Sequence, residues 1–182
     1  MIQGKNINLR LMRKDDLEDY VMKTNNTDSP GAFYPLVVWT QTETEKLFNE
    51  HGFFGESSGR LLITTKEDEM IGFVSYFKGS PYLNGYELGY KIFEPKDHGK
   101  GYTTEAVKLF TSFLFEHRPI SRLQICMIDG HVGSARVAEK AGYAYEGLMR
   151  DVAYHRGEII SNRLYSITRP EVLTLNEMIE SL

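Results

Sequence analysis

The amino-acid sequence predicts a mixed α+β fold, in which a mostly antiparallel sheet of six to seven strands is flanked by helices. Two hydrophobic patterns support this prediction. Before Pro95, apolar and polar residues alternate in several segments, which is typical of half-buried strands. Between Ala106 and Leu114, apolar residues recur at the spacing of a core-facing helix. Because a buried strand follows that helix, the strands before and after it are expected to run parallel.

The first half of the chain is predicted to hold four strands and two helices. Residues 7–11 alternate as a strand, and a helix with acidic residues in its first turn begins at Lys14. The polar segment 25–40 predicts a loop. The motif Thr42-x-x-Glu45 fits a capping box and predicts a second helix that runs through about Phe54. Three strands follow, at residues 60–65, 70–77 and 86–93.

The second half of the chain is predicted to add three helices and three strands. The helix that contains Ala106 and Leu114 ends before Pro119. The remaining elements are a buried strand at 123–128, a short helix at 133–141, two long strands at 143–154 and 159–168, and a terminal helix after Pro170. We expect residues 1–182 to form a single domain.

The composition argues against several classes of protein. The net charge of −4, from 21 basic and 25 acidic residues, lacks the basic excess of a nucleic-acid-binding protein. We expect no membrane partner, because no segment is long and apolar enough to cross a bilayer and the N-terminus has no apolar signal core. The single cysteine, Cys126, predicts no disulfide and a cytoplasmic location. The five histidines lack metal-ligand spacing, so no metal is expected.

A glycine-rich turn between a strand and a helix is the most informative segment. Gly99 and Gly101 allow the backbone to curl so that successive N–H groups face one concavity, and the helix behind adds unpaired N–H donors. The spacing does not fit a P-loop, and Thr104 stands where a dinucleotide fingerprint needs its last glycine. The diphosphate of coenzyme A and a tight turn without a ligand remain as interpretations.

The sequence resembles the GNAT superfamily of N-acetyltransferases, and within it the branch of ribosomal-protein alanine acetyltransferases (RimJ/RimL-like). The resemblance covers nearly the whole chain. Its six pieces occur in order as Ile7-Asn-Leu-Arg10-Leu, Met70-Ile-Gly72-Phe-Val, Glu87-Leu-Gly89-Tyr90, His98-Gly-Lys-Gly-Tyr-Thr-Thr-Glu-Ala106, Ser134-Ala-Arg136-Val-Ala-Glu139-Lys140-x-Gly142-Tyr143, and Arg169-Pro-Glu171. The resemblance implies the fold of that superfamily and acetyl-CoA as the co-substrate.

The resemblance also implies which residues contact acetyl-CoA. Backbone groups near Ile92 and Phe93 would contact pantetheine, and His131 and Ser134 would lie close to it. The residues implied to hold the diphosphate form the turn itself, which comprises His98, Gly99, Lys100, Gly101, Tyr102 and Thr103. His98, Thr103 and His131 depart from the family's usual residues at their positions. Because Thr103 adds bulk where a small residue is usual, we expect a slightly altered turn. For His131, the alternative to a pantetheine contact is a residue that only occupies a turn.

Two side chains are candidates for catalysis. Glu87 is the candidate base, directly or through a water; the alternative is a strand glutamate paired to a lysine or arginine. Ser134 is the candidate donor to the departing thiolate, because many superfamily members place a tyrosine where this chain has Ala138. The alternative for Ser134 is a helix N-cap or first-turn serine.

The resemblance implies transfer of an acetyl group to a primary amine, such as a peptide or protein N-terminus. A small amine or an aminosugar antibiotic is the alternative acceptor, and a homodimer is a further option. A second hypothesis is a non-catalytic sensor that binds acyl-CoA. An aromatic cluster either lines the acceptor groove or belongs to the core; it comprises Phe33, Tyr34, Trp39, Phe53 and Phe54.

Overall fold

The computed structural model describes residues 1–25, 33 and 38–182, and it contains eight strands and five helices within them. The strands are β1 (Ile2–Gln3), β2 (Asn8–Arg10), β3 (Ser58–Thr64), β4 (Met70–Phe77), β5 (Gly85–Ile92), β6 (Arg122–Ile128), β7 (Ala144–His155) and β8 (Glu158–Thr168). The helices are α1 (Leu17–Asn25), α2 (Gln41–His51), α3 (Tyr102–His117), α4 (Val132–Lys140) and α5 (Leu175–Glu180). The mixed α+β class is confirmed.

One sheet contains every strand of the described chain, in the order β1-β2-β3-β4-β5-β6-β8-β7. Only β5 and β6 pair in parallel, as the crossover through α3 requires. The sheet has eight strands rather than six to seven, because Ile2–Gln3 pairs with Asn8 and Leu9. A strand of two residues is too short to show an alternating pattern.

The start of α2 differs from the prediction. Thr40, not Thr42, is the N-cap, and its side chain accepts a hydrogen bond from the Glu43 amide at 3.2 Å. The helix stops at Gly52, whose φ of 59° is left-handed. Both Thr40-x-x-Glu43 and Thr42-x-x-Glu45 match a capping box, so the sequence alone did not distinguish them.

The two faces of the sheet pack against different helices. Helix α3 buries Leu109 and Phe110 on one face, against strand residues such as Val74. Helix α1 places Leu17 and Tyr20 on the other face. We call the first the α3 face and the second the α1–α2 face, because Leu47 and Phe48 of α2 also pack there.

Strands β5 and β6 stay paired for only three residues each. Gly85, Tyr86 and Glu87 pair with Arg122, Leu123 and Gln124. Beyond Glu87, β5 continues against β4 alone, while β6 continues against β8 alone. The two parallel strands therefore part after Glu87 and leave a cleft between them, which opens toward the glycine turn.

Candidate active site

The glycine turn lies between β5 and the first residue of α3. Gly99 and Gly101 have φ angles of 74° and 85°, which favour glycine. A Cβ atom built at either position meets no atom within 4 Å, so the backbone borders open space. The first amides of a helix lack intrahelical partners and lie at the positive end of its dipole. This turn therefore fits a diphosphate, with Tyr102 and Thr103 in the first turn of α3 behind it.

The charged residues of the glycine turn pair with one another. Lys100 Nζ lies 2.9 Å from Asp97 Oδ1, and this hydrogen bond raises the pKa of Lys100 above its usual value. The pairing neutralises Asp97, whose charge would otherwise oppose an anion. His98 places a ring nitrogen 3.4 Å from the carbonyl oxygen of Ile92. His98 thus connects the turn to the end of β5.

The backbone of β5 determines which amides face the cleft. The Phe93 amide donates to the Ile71 carbonyl oxygen at 2.9 Å, on the β4 side. Successive amides of a strand point to opposite sides, so the Ile92 amide faces the cleft. Of the two positions that the resemblance implies, Ile92 is therefore the one with a main-chain amide available to a ligand.

Glu87 lies where the strands part, on the α1–α2 face. Its Oε2 accepts hydrogen bonds from Gln124 Nε2 at 3.0 Å and from Cys126 Sγ at 3.3 Å. Both donors are neutral and both contact the same oxygen. Among the described residues, Glu87 forms no ion pair with a lysine or arginine, and Oε1 has no hydrogen bond. The carboxylate is held in place through Oε2, and Oε1 is available to contact a ligand.

Cys126 supports Glu87 as a protonated thiol. Burial, together with the negative charge of Glu87, raises the pKa of Cys126 to about 12. The thiol therefore keeps its proton near neutral pH. It acts as a hydrogen-bond donor and has little nucleophilic character.

Ser134 lies in the first turn of α4 and is 7% exposed. The N-cap of this helix is His131, whose Nδ1 accepts from the Ser134 amide at 3.3 Å. Ser134 is therefore a first-turn serine and not an N-cap. Burial lowers the pKa of His131, which also stacks on Phe33 with ring centroids 4.4 Å apart.

Tyr90 reaches the hydroxyl of Ser134 and was not singled out from the sequence. Its phenol oxygen lies 2.8 Å from Ser134 Oγ and 3.3 Å from the Ser134 carbonyl oxygen. Burial raises the pKa of Tyr90 to about 12, so the phenol stays protonated near neutral pH. Alternation along β5 does place Tyr90 on the opposite side from Glu87. Because α4 lies 44 positions further along the chain, that pattern does not predict the contact.

Ser134 precedes Ala138, the position for which the resemblance implies a missing tyrosine, by about one turn of α4. Ala138, which stands at that position, is fully buried in the core of the α3 face. Tyr90 and Ser134 lie on the same side of the cleft, whereas Glu87 lies on the α1–α2 face. A carboxylate and a pair of hydroxyl groups thus flank the cleft from opposite faces.

The predicted aromatic cluster does not form one groove. Trp39 and Phe53 contact Tyr20 on the α1–α2 face, while Phe54 packs against Phe113 on the α3 face. Phe33 stacks on His131, and Tyr34 lies outside the described residues. Trp39 and Phe53 therefore lie together, Phe54 lies on the opposite face, and Phe53 and Phe54 pack in the core, which was the alternative interpretation.

Two features are absent from the residues that the structure describes. No group of three or more histidine, cysteine, aspartate or glutamate side chains is arranged to hold a metal ion there. Within the same residues, no helix combines the length and the apolar character that a membrane crossing needs.

A mixed sheet that parts at one parallel pair, with a glycine turn at the end of the parted strand, defines the class of acetyl-CoA-dependent acyltransferases. The sequence comparison identifies the family within that class. A family described as "Acetyltransferase (GNAT) domain" matches residues 6–144, and the chain belongs to this family. It is an acetyl-CoA-dependent N-acetyltransferase.

Relatives and solved structures agree with this assignment. The chain is 28% identical to a probable N-acetyltransferase of Bacillus subtilis, YjcK, over 94% of this chain and 98% of the relative. The fold is similar to that of spermidine N-acetyltransferase from Vibrio cholerae in complex with CoA and spermine, with a TM-score of 0.77, 17% identity, and 91% and 97% of the two chains covered. RimL, a ribosomal L7/L12 α-N-protein acetyltransferase in complex with coenzyme A, gives a TM-score of 0.75 and 20% identity over 91% and 95%.

Proposed function

We propose that this chain acetylates the primary α-amino group of a peptide or protein, with Glu87 as the base and Ser134 as the hydrogen-bond donor to the departing thiolate. One observation carries the proposal: the parallel strands part directly after Glu87, and the parted strand leads to the glycine turn. The RimL likeness supports a protein N-terminus as the acceptor. The spermidine acetyltransferase likeness keeps a small amine as the alternative.

The residues implied to hold acetyl-CoA fit that ligand. The amides of Gly99, Lys100 and Gly101 would hold the diphosphate, because charge-assisted hydrogen bonds from backbone N–H groups are strong. The Ile92 amide would contact the pantetheine arm within the cleft. His131 caps α4 and thereby sets the position of Ser134 at the edge of the same cleft.

The chemistry requires one proton to leave and another to arrive. Acetyl-CoA supplies the acetyl group as an activated thioester. Glu87 Oε1, which has no partner among the described residues, would accept the proton of the attacking amine. Ser134 Oγ would donate a hydrogen bond to the departing thiolate, which takes its proton from solvent, and the Tyr90 phenol would keep that hydroxyl oriented and polarised.

The Glu87→Gln variant tests the base. Glutamine keeps the shape of the side chain, and its carbonyl oxygen can still accept from Gln124. We expect kcat to fall by about 100-fold to 10,000-fold, which is the usual contribution of general base catalysis. Acetyl-CoA affinity should stay within about twofold, because the cofactor is proposed to be held by backbone amides of the glycine turn and β5 and not by the Glu87 side chain. Glu50→Gln, on the exposed side of α2, is the matched control.

The pH profile separates a base from a structural glutamate. If Glu87 is the base, the acidic limb of the kcat/KM profile disappears in Glu87→Gln. An unchanged profile would rule out Glu87 as the base, even with a lower rate.

A non-catalytic acyl-CoA sensor was the second hypothesis from the sequence, and membership of the N-acetyltransferase family argues against it. The departures at His98, Thr103 and Ala138 favour it, because they fall on positions that the family uses for cofactor binding and proton donation. The Tyr90–Ser134 pair favours catalysis, since it supplies a donor without Ala138. Release of free thiol from acetyl-CoA on adding an amine distinguishes the two.

A further inference from the structure

Arg60 lies on the α1–α2 face with most of its guanidinium group buried, and it has no ionic partner among the described residues. The Nε and Nη1 atoms of Arg60 are buried, and neither has a hydrogen-bond partner there. Four aromatic rings surround the guanidinium, with ring centroids 4.2 to 5.9 Å from its central carbon. These rings belong to Tyr20, Trp39, Phe53 and Phe73.

This environment is costly for a charged group. Burial lowers the pKa of Arg60 to about 10, so the side chain still carries its charge near neutral pH. Aromatic faces attract a cation but accept hydrogen bonds poorly. An unpaired buried charge is one of the more expensive features a fold can contain. An incoming anion would remove that cost by pairing with the guanidinium.

Arg60 is in cross-strand register with a residue next to the proposed acceptor site. Arg60 pairs with Ser75 across β3 and β4, and Ser75 pairs with Gly89 across β4 and β5. Two strand spacings separate Arg60 from Gly89, about 10 Å between their α-carbons. Glu87 lies two residues before Gly89 and therefore on the same face.

The surface of the sheet between Arg60 and Glu87 carries small residues, Ser75 and Gly89. A Cβ atom built on Gly89 meets only Ser75 Oγ at 3.1 Å and Phe77 Cε1 at 3.9 Å. The four residues Arg60, Ser75, Glu87 and Gly89 all keep partial solvent exposure, whereas the neighbouring Phe73 is 4% exposed. We call these four residues the acceptor trough.

Charge on this face favours an anion at the end distant from Glu87. Lys91 is a second basic residue there, and its Nζ donates to the Thr24 carbonyl oxygen at 3.3 Å. Of the residues that β3, β4 and β5 place on the α1–α2 face, Glu87 is the only acid. A polyamine would bring a second cation toward Arg60, which is electrostatically unfavourable.

We propose that the acceptor carries an anionic group, a carboxylate or a phosphate, which pairs with Arg60 while its amine lies at Glu87. The proposal rests on the proposed function and adds the charge of the substrate. Both anions offer oxygens that match the planar guanidinium. Several bonds must separate the amine from the anion, because the acceptor trough spans two strand spacings.

Matched acceptors test the charge preference. Peptides with the same N-terminal residue and glutamate, glutamine or lysine in the next positions are compared with spermidine and with an aminoalkyl phosphonate. We expect kcat/KM for the glutamate peptide to exceed that for the lysine peptide by about tenfold or more. Preference for the phosphonate over the glutamate peptide would identify phosphate as the source of the anion.

Substitution of Arg60 tests the residue itself. Arg60→Met should lower kcat/KM for the anionic acceptor by about tenfold or more, and for the glutamine peptide by less than about threefold. Arg60→Lys keeps the charge and should retain part of the preference. Replacing a buried unpaired charge with an apolar residue of similar volume often leaves stability unchanged or improves it, so Arg60→Met should fold.

The outcomes separate this inference from the proposed function. Turnover of any of the peptides supports the proposed function, whatever their ranking. Equal or better turnover of spermidine and lysine peptides, or equal losses for all acceptors in Arg60→Met, overturns the role of Arg60. If the glutamate peptide raises the Tm of the wild-type protein but not that of Arg60→Met, the role of Arg60 is supported even without turnover. If the peptide raises the Tm of neither protein, that role is contradicted.

An ion pair between Arg60 and an acidic residue of the same chain is the alternative that the experiments must exclude. Asp28 is the only acid in segment 26–37, and it lies outside the described residues. If Asp28→Asn reproduces the effects of Arg60→Met on the anionic acceptor, then Arg60 pairs within the chain and the inference is wrong. Wild-type preference in Asp28→Asn supports the inference.

Discussion

The glycine turn predicts that adding one methyl group at Gly101 affects ligand binding more than stability. Gly101 has a φ of 85°, and a Cβ built there meets no atom within 4 Å. Gly101→Ala therefore creates no steric clash with the protein itself. Its cost to stability comes from the left-handed backbone, about 1–2 kcal/mol for a residue other than glycine. For a chain of this length that cost corresponds to a Tm decrease of roughly 2–8 °C.

Gly157 provides a matched control. It lies in the turn between β7 and β8, has a φ of 95°, and a Cβ built there also meets no atom within 4 Å. Gly157→Ala therefore pays the same backbone strain and should lower Tm by a similar amount. It lies outside the glycine turn, so acetyl-CoA affinity should not change.

The difference between the two variants isolates the effect on the ligand. If the amides of the glycine turn hold the diphosphate, a methyl group beside them should displace at least one charge-assisted hydrogen bond. Such a bond contributes about 1.5–3 kcal/mol, or a loss of affinity of roughly 10-fold to 150-fold. Isothermal titration calorimetry with acetyl-CoA measures the affinity, and thermal unfolding measures the strain. Wild-type affinity in Gly101→Ala, or equal losses in both variants, would refute the assignment of the turn.

Three further predictions concern the side chains around the cleft and the sheet. Tyr90→Phe and Ser134→Ala should each lower kcat. The double variant should be no slower than the slower single variant, because the two groups act as a unit. Additive losses in a double-mutant cycle would contradict this. Cys126, whose pKa burial raises to about 12, should react with N-ethylmaleimide at pH 7 at least about 100-fold more slowly than glutathione; a comparable rate would show that the thiol is accessible and ionised. The hydrogen bond from Arg122 lowers the pKa of Glu146 to about 2, so its stabilising effect is present above the ordinary value of 4.5 and is lost as pH falls toward 2. The Tm of Glu146→Gln should therefore fall less than the Tm of the wild-type protein as the pH is lowered over that range. An equal decline of Tm in the wild-type protein and the variant would rule this out.

Part of the fold and site was predictable because it depends on local backbone requirements. Gly99 and Gly101 were expected to curl the chain, and both have positive φ. The parallel pair β5–β6 followed from a helix between two strands. Each of these predictions depends only on neighbouring residues in the sequence.

The remaining parts arise from contacts between distant segments. Tyr90 and Ser134 meet because α4 packs beside the cleft, and Arg60 is enclosed by rings from segments that are far apart in sequence. Glu87 was expected either to act as a base or to pair with a basic residue. Its contacts with Gln124 and Cys126 depend on the register between β5 and β6, which composition and periodicity do not specify.

Acetyl transfer in a defined mixture tests the central claim most directly. The purified chain is incubated with acetyl-CoA and a panel of peptides and small amines, free thiol is followed over time, and mass spectrometry identifies the acetylated acceptor. We predict that thiol release depends on the amine, matches the acetylated product one for one, and is lost in Glu87→Gln while acetyl-CoA still binds. Calorimetric binding of acetyl-CoA with no thiol release for any amine would contradict the account and indicate a sensor.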